Sequence, residues 1–136
     1  MKRRLYVLKV MLDNIEPEIW RQFVVPSDIT LDRLHDIIQI VMGWTDSHLH
    51  EFSIEGKRYT EYMESPEDGE EDGLYRLGNL VKRKGASFEY TYDFGDNWRH
   101  HLILETTDYY LRPHDEPILF LTGERACPPE DVGGIG

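Results

Sequence analysis

The chain has one cysteine, Cys127, in 136 residues. That excludes an internal disulfide framework and fits a reducing compartment. Long hydrophobic runs are missing too. Leu5 to Met11 is broken by Lys9 and followed by Asp13 and Glu16, so the basic start Met1-Lys2-Arg3-Arg4 does not read as a secretory leader, and no stretch is long enough to span a bilayer. A cytoplasmic protein is expected, with no membrane association. Positive charge is scarce: 15 Lys and Arg against 26 Asp and Glu give a net charge of −11. Such a balance opposes direct nucleic-acid binding, which needs clustered cations to neutralise phosphates. There is no internal repeat, no CxxC, no HExxH, and no serine or cysteine in a nucleophile elbow.

Part of the acid excess is local. Glu61, Glu64, Glu67, Asp68, Glu70, Glu71 and Asp72 fall in one segment, and setting these 7 aside leaves 19 acids against 15 bases. With Pro66, Gly69 and Gly73 among them, residues 61–73 read as an exposed, mobile acidic loop. As a site this loop would take a divalent cation or a basic partner, but it lacks the ligand spacing of an EF-hand.

Material for a core is ample, at 40% hydrophobic and 12% aromatic residues, and the length suits one domain spanning 1–136. Arg4 to Leu12 and Ile19 to Val25 read as two antiparallel strands joined at Asp13–Pro17, the second stopped by Pro26. A helix follows. Thr30 is its N-cap, Leu31, Leu34, Ile37, Ile38, Val41 and Met42 form an apolar stripe, and Gly43 is its C-cap. Asp32, Arg33, Asp36 and Gln39 are placed on its polar face, and His35 at the boundary. His48 to Ile54 reads as a strand with His48, His50, Phe52 and Ile54 on one side. A turn at Glu55–Lys57 leads to a short strand, Arg58–Thr60. Leu74 to Val81 is a short helical turn, Lys82–Gly85 a basic turn, and Ile118–Leu121 a short strand.

The most organised stretch is Phe88 to Leu104. Phe88, Tyr90 and Tyr92, then Trp98, His100, Leu102 and Leu104, alternate with Glu89, Thr91, Asp93, Arg99, His101 and Ile103. This period of two marks two strands of a hairpin around Asp93–Asn97, with Gly95 free to take a positive φ.

Three constellations bear chemistry. His48, His50, His100 and Cys127 carry imidazole and thiolate ligands suited to zinc or another divalent transition metal; otherwise these histidines cap strands and bond to backbone. Asp93, Asp96, Glu130 and Asp131 supply carboxylates beside His100 for proton transfer; otherwise the aspartates form their own turn. Tyr90, Tyr92, Phe94 and Trp98 offer an aromatic platform for a peptide or a base, or else pack against the helix stripe as core.

Pro17-Glu18-Ile19-Trp20-Arg21, Met42-Gly43-Trp44 with His48-Leu49-His50-Glu51-Phe52, Tyr92-Asp93-Phe94-Gly95-Asp96-Asn97-Trp98-Arg99-His100 and Cys127-Pro128-Pro129-Glu130-Asp131 follow one another in this order. Together they resemble the plasmid pRiA4b ORF-3-like family over nearly the whole chain. The resemblance implies a compact α+β domain, similarity to TnpR-like accessory proteins of bacterial insertion elements, and no established catalytic residue or cofactor. Two departures stand out. Val132 occupies the place where the family often has a second cysteine, which weakens a paired-thiolate site. Family members also commonly continue past the Gly-Gly that is here Gly133-Gly134, so either this is a shortened form or a further C-terminal segment follows Gly136.

The resulting expectation is one α+β domain: an N-terminal β-hairpin, one long helix, then a mainly antiparallel sheet ending in the aromatic hairpin. Its function is expected to be non-enzymatic binding or accessory work, linked to mobile elements, with a protein or peptide partner. The candidate cleft is Asp93, Asp96, Trp98, His100, Glu130 and Asp131. The alternative is a metal-dependent hydrolase or nuclease using His48, His50, Asp93, Asp96, His100 and Glu130.

Overall fold

The computed structural model describes residues 4–13, 19–44, 49–61, 69–92, 98–109 and, for the backbone only, 119–124. Eight strands form one sheet: β1 (Leu5–Leu12), β2 (Trp20–Pro26), β3 (His50–Ile54), β4 (Lys57–Thr60), β5 (Glu70–Glu71), β6 (Ser87–Tyr92), β7 (Trp98–Thr106) and β8 (Leu119–Glu124). Their spatial order is β5-β4-β3-β6-β7-β1-β2-β8, and every neighbouring pair is antiparallel except β4 with β5. One long helix, α1 (Leu31–Met42), lies on one face, with a 3₁₀ turn (Asp72–Leu74) and a short helix, α2 (Leu77–Leu80), beside it. The expected α+β class, N-terminal hairpin, long helix and aromatic hairpin are all present.

The sequence period explains which face is covered. Tyr6, Leu8, Val10 and Leu12 of β1, Phe52 and Ile54 of β3, Phe88, Tyr90 and Tyr92 of β6, and Trp98, Leu102 and Leu104 of β7 are buried in one cluster with Leu31, Leu34, Ile38 and Met42 of α1. Each fully buried side chain of this size contributes roughly 1.5–3 kcal/mol over leaving it in water. α1 ends as expected at Gly43, whose φ of 80° requires no Cβ strain in glycine. A smaller cluster of Leu5, Val7 and Val24, against which Tyr109 packs, covers part of the opposite face.

Four expectations shift. Pro26 ends β2 rather than stopping the strand before itself: it sits opposite Leu5 at the end of the ladder, where a missing N–H is tolerated. Gln39 and His35, placed on or near the polar face of α1, are instead buried, because both reach the Tyr90 hydroxyl through the apolar layer. The acidic stretch is not exposed throughout. Glu61, Glu70 and Glu71 are exposed, but Asp72 is only 1% exposed, since it bonds His50 inside the core. No aromatic platform is formed among the described residues: Tyr90, Tyr92 and Trp98 are buried in the core on the α1 side, while Phe94 lies outside the described residues.

Candidate functional site

Of the candidate site residues, Trp98, His50 and His100 are described, whereas His48, Asp93, Asp96, Cys127, Glu130 and Asp131 lie outside the described residues. His50 and His100 share the helix-facing side of the sheet. β6 separates the strands that carry them, and Tyr90 touches both rings, with centroids 6.1 Å from His50 and 5.2 Å from His100. The two histidines therefore flank a tyrosine instead of converging on one point. Among the described residues, no three His, Cys, Asp or Glu side chains are grouped to hold a metal ion.

His100 is fully buried, its Nδ1–H donating to the Tyr90 carbonyl oxygen at 3.2 Å. Desolvation lowers its pKa from 6.5 to about 4, against the opposing pull of the Tyr90 and Trp98 carbonyls. The ring is thus neutral at physiological pH, and it meets Trp44 edge-on at 5.2 Å. Its Nε2 and the Trp98 Nε1 are buried without a hydrogen-bond partner among the described residues.

The polar network around His50 was legible only in part. His50 Nε2 lies 2.5 Å from Asp72 Oδ2, and both side chains are buried. The His50 ring stacks on His35 at 3.6 Å with an 11° tilt. His35 Nδ1 lies 2.6 Å from the Tyr90 hydroxyl, which accepts a second bond from Gln39 Nε2 at 2.9 Å. Sequence reasoning missed Asp72, Gln39 and His35 here. A helical spacing of four between His35 and Gln39 was the available signal, since it sets both on one face. Asp72 carried none, because its burial depends on a contact 22 residues away.

The other face of the same strands is polar. Glu51 and Ser53 of β3, Glu89 and Thr91 of β6, and Arg99 of β7 line a groove of about 420 Å³ with Asp13 at the end of β1. Register puts them side by side: Glu51 is opposite Thr91, Thr91 opposite Arg99, Ser53 opposite Glu89, and Glu89 opposite His101. The Asp13 N–H donates to the Arg99 carbonyl oxygen at 2.8 Å, which fixes the carboxylate's backbone over the groove. Burial and then the nearby Glu89 raise the Asp13 pKa, partly offset by His101 and Arg99. Glu89 accepts from His101 at 2.7 Å, and Arg58 reaches Glu51 at 3.5 Å. The basic residues do not form a stripe. Arg99 pairs with Thr91, whereas Lys82–Lys84 precede Ser87 at the other end of β6.

The fold and this arrangement define an α+β domain with one sheet face closed by a helix and aromatic core and the other polar where β3, β6 and β7 line it. The chain belongs to the plasmid pRiA4b ORF-3-like protein family, whose model matches residues 4–136. It is 43% identical over 132 residues to the uncharacterized protein y4hQ of Sinorhizobium fredii, covering 93% of this chain and 66% of that protein. It is also similar to the crystal structure of MM3350, a protein of unknown function from Methanosarcina mazei Go1, with a TM-score of 0.89, 33% identity, and 99% of this chain and 77% of that one covered. The chain thus spans about two thirds of the length of the curated relative it matches. These relatives are uncharacterised, and no helix among the described residues is long and apolar enough to cross a membrane.

Proposed function

We propose that this protein is a non-enzymatic binding module whose polar sheet face takes a basic side chain from a protein or peptide partner. The observation that carries the reading is the groove, in which Asp13, Glu51 and Glu89 surround a single Arg99. Three carboxylates beside one guanidinium favour a cationic group, and Arg99 can hold a neighbouring carbonyl or carboxylate of the same partner. Asp13 supports this. Its charge is disfavoured by burial and by Glu89, an arrangement that a bound cation would relieve. An accessory role in mobile elements, which the family resemblance implies, makes proteins encoded by such elements the first partners to test.

The experiment is an NMR titration with short peptides bearing lysine or arginine, matched to peptides acetylated or neutral at the same positions. Basic peptides should shift resonances of Glu51, Glu89, Thr91 and Arg99, and the affinity should fall with salt. Combining Asp13→Asn with Glu89→Gln should weaken binding at least tenfold. Shifts confined to the far end of the sheet, or equal shifts with neutral peptides, would overturn the reading.

A second reading, the metal-dependent hydrolase or nuclease, draws His48, Asp93, Asp96 and Glu130 from outside the described residues. Metal-dependent cleavage of a generic phosphodiester or ester by the purified protein would favour it over binding alone.

A further inference from the structure

We propose that the pocket between α2, the Lys82–Gly85 turn and the end of β3 binds an organic oxyanion, a phosphate or carboxylate carried on a short apolar chain. The pocket shares no lining residue with the polar groove, so this proposal and the binding-module reading stand or fall separately.

The basic turn leads to it. In a chain of net charge −11, the adjacent Lys82, Arg83 and Lys84 are a local exception, and none of them takes part in the core or the groove. Lys82 and Arg83 line a pocket of about 380 Å³, a size that suits a small molecule. Both side chains are exposed, and neither meets a carboxylate among the described residues.

The backbone that carries these cations is fixed. Gly85 takes a φ of 90°, a conformation open to glycine, and its N–H donates to the Leu104 carbonyl oxygen at 2.7 Å. The Ala86 N–H closes the turn onto the Arg83 carbonyl oxygen at 3.0 Å, and the Leu104 N–H donates to the Ala86 carbonyl oxygen at 2.9 Å. Before the turn, the Val81 N–H donates to the Leu77 carbonyl oxygen at 2.8 Å, and the Val81 carbonyl oxygen accepts from the Tyr6 hydroxyl at 2.8 Å. The turn is thus tied to β1 on one side and β7 on the other, so little backbone freedom is lost when an anion binds.

The lining is amphipathic. Ile54 and Val81, 2% and 3% exposed, form an apolar floor with Ala86. Asn79 and Ser87 add an amide and a hydroxyl. An apolar chain on the floor with an oxyanion at Lys82 and Arg83 uses each part, since the planar guanidinium matches two oxygens of a phosphate or carboxylate at once. Glu55 lines the same pocket, held at a φ of 49°, the one positive value outside glycine among the described residues. Two cations against one acid leave the pocket net positive, and Glu55 holds its affinity for anions below what the bases alone would give.

The test is an amide NMR titration of the full chain with butyl phosphate, pentanoate, the bare headgroups inorganic phosphate and acetate, and butanol. Butyl phosphate or pentanoate should shift Asn79, Val81, Ala86 and Ser87 saturably, the tighter of the two assigning the headgroup, and butanol should not. The bare headgroups should bind more weakly, by about fourfold for each methylene that reaches the floor. Lys82→Gln combined with Arg83→Gln should weaken binding at least tenfold. Lys84→Gln removes an equal charge outside the pocket and should change it less than threefold, while Glu55→Gln should tighten it. Circular dichroism confirms that each variant is folded. The proposal is overturned if neither chain-bearing anion shifts those amides saturably, or if the bare headgroups bind as tightly. It is equally overturned if the folded double variant binds like the parent, or if Lys84→Gln costs as much as Arg83→Gln.

Discussion

The two faces of strands β3, β6 and β7 both carry polar groups but use them differently. On the helix side, Tyr90, His100, His50 and Asp72 are buried, and most of their polar atoms are tied to specific partners. On the other side, Glu51, Ser53, Glu89, Thr91 and Arg99 are only partly covered or exposed. The first face is costly to disturb because each polar atom lost leaves another stranded without water. The second is cheap to disturb because solvent replaces any lost contact. Within these three strands, stability therefore resides mainly on the helix side.

The largest test of this contrast is Phe52→Ala. Phe52 is fully buried between Tyr90 and Phe88, and its removal should cost about 3–5 kcal/mol in chemical denaturation. A loss under 1 kcal/mol would mean that this face is not the stabilising one.

The next concerns His100. Its folded pKa, about 4, lies below the ordinary 6.5, so the unfolded chain takes up a proton that the folded chain refuses. Its contribution is fully present above pH 6.5 and is lost as pH falls towards 4, amounting to about 3 kcal/mol in all. Unfolding free energies measured from pH 7 to 4 should fall less steeply for His100→Leu than for the parent. Identical slopes would show that His100 is not held neutral.

Tyr90→Phe removes the oxygen that meets both His35 Nδ1 and Gln39 Nε2. It should cost about 1–3 kcal/mol, and restoring part of that loss with Gln39→Leu in the same background would show the coupling. On the groove face, Glu89→Gln should stay within about 0.5 kcal/mol of the parent, the range of surface substitutions. Asp13→Asn should slightly stabilise the free protein at neutral pH. A raised acid pKa means that the ionised form penalises folding above that pKa, and asparagine carries no such charge. A destabilised Asp13→Asn would remove the argument that this carboxylate is kept for binding.

The backbone plan was largely legible because it rests on local periods. Alternation over Phe88–Tyr92 and Trp98–Leu104 marked two strands, and the helix stripe of α1 marked its buried side. The site was legible only where a residue's own neighbours announced it. His50 stood out through its strand position, but its partner Asp72 was assigned to an exposed acidic loop because six other acids precede it closely in sequence. Composition averages over such a stretch, whereas burial is decided residue by residue. Gln39 was misplaced for the related reason that polarity predicts a solvated face unless a buried hydroxyl waits opposite.

The sequence by itself determined the α+β class, the strand and helix periods, the family and the exclusion of disulfides, since each depends on residue type and local spacing. Tertiary structure alone decided that Tyr90 gathers His35 and Gln39, that Asp72 turns inward to His50, and that Asp13 comes to lie over β6 and β7. Those pairings join residues 22 to 88 positions apart, and only closure of the sheet in its particular strand order brings them within reach of a hydrogen bond or a shared charge.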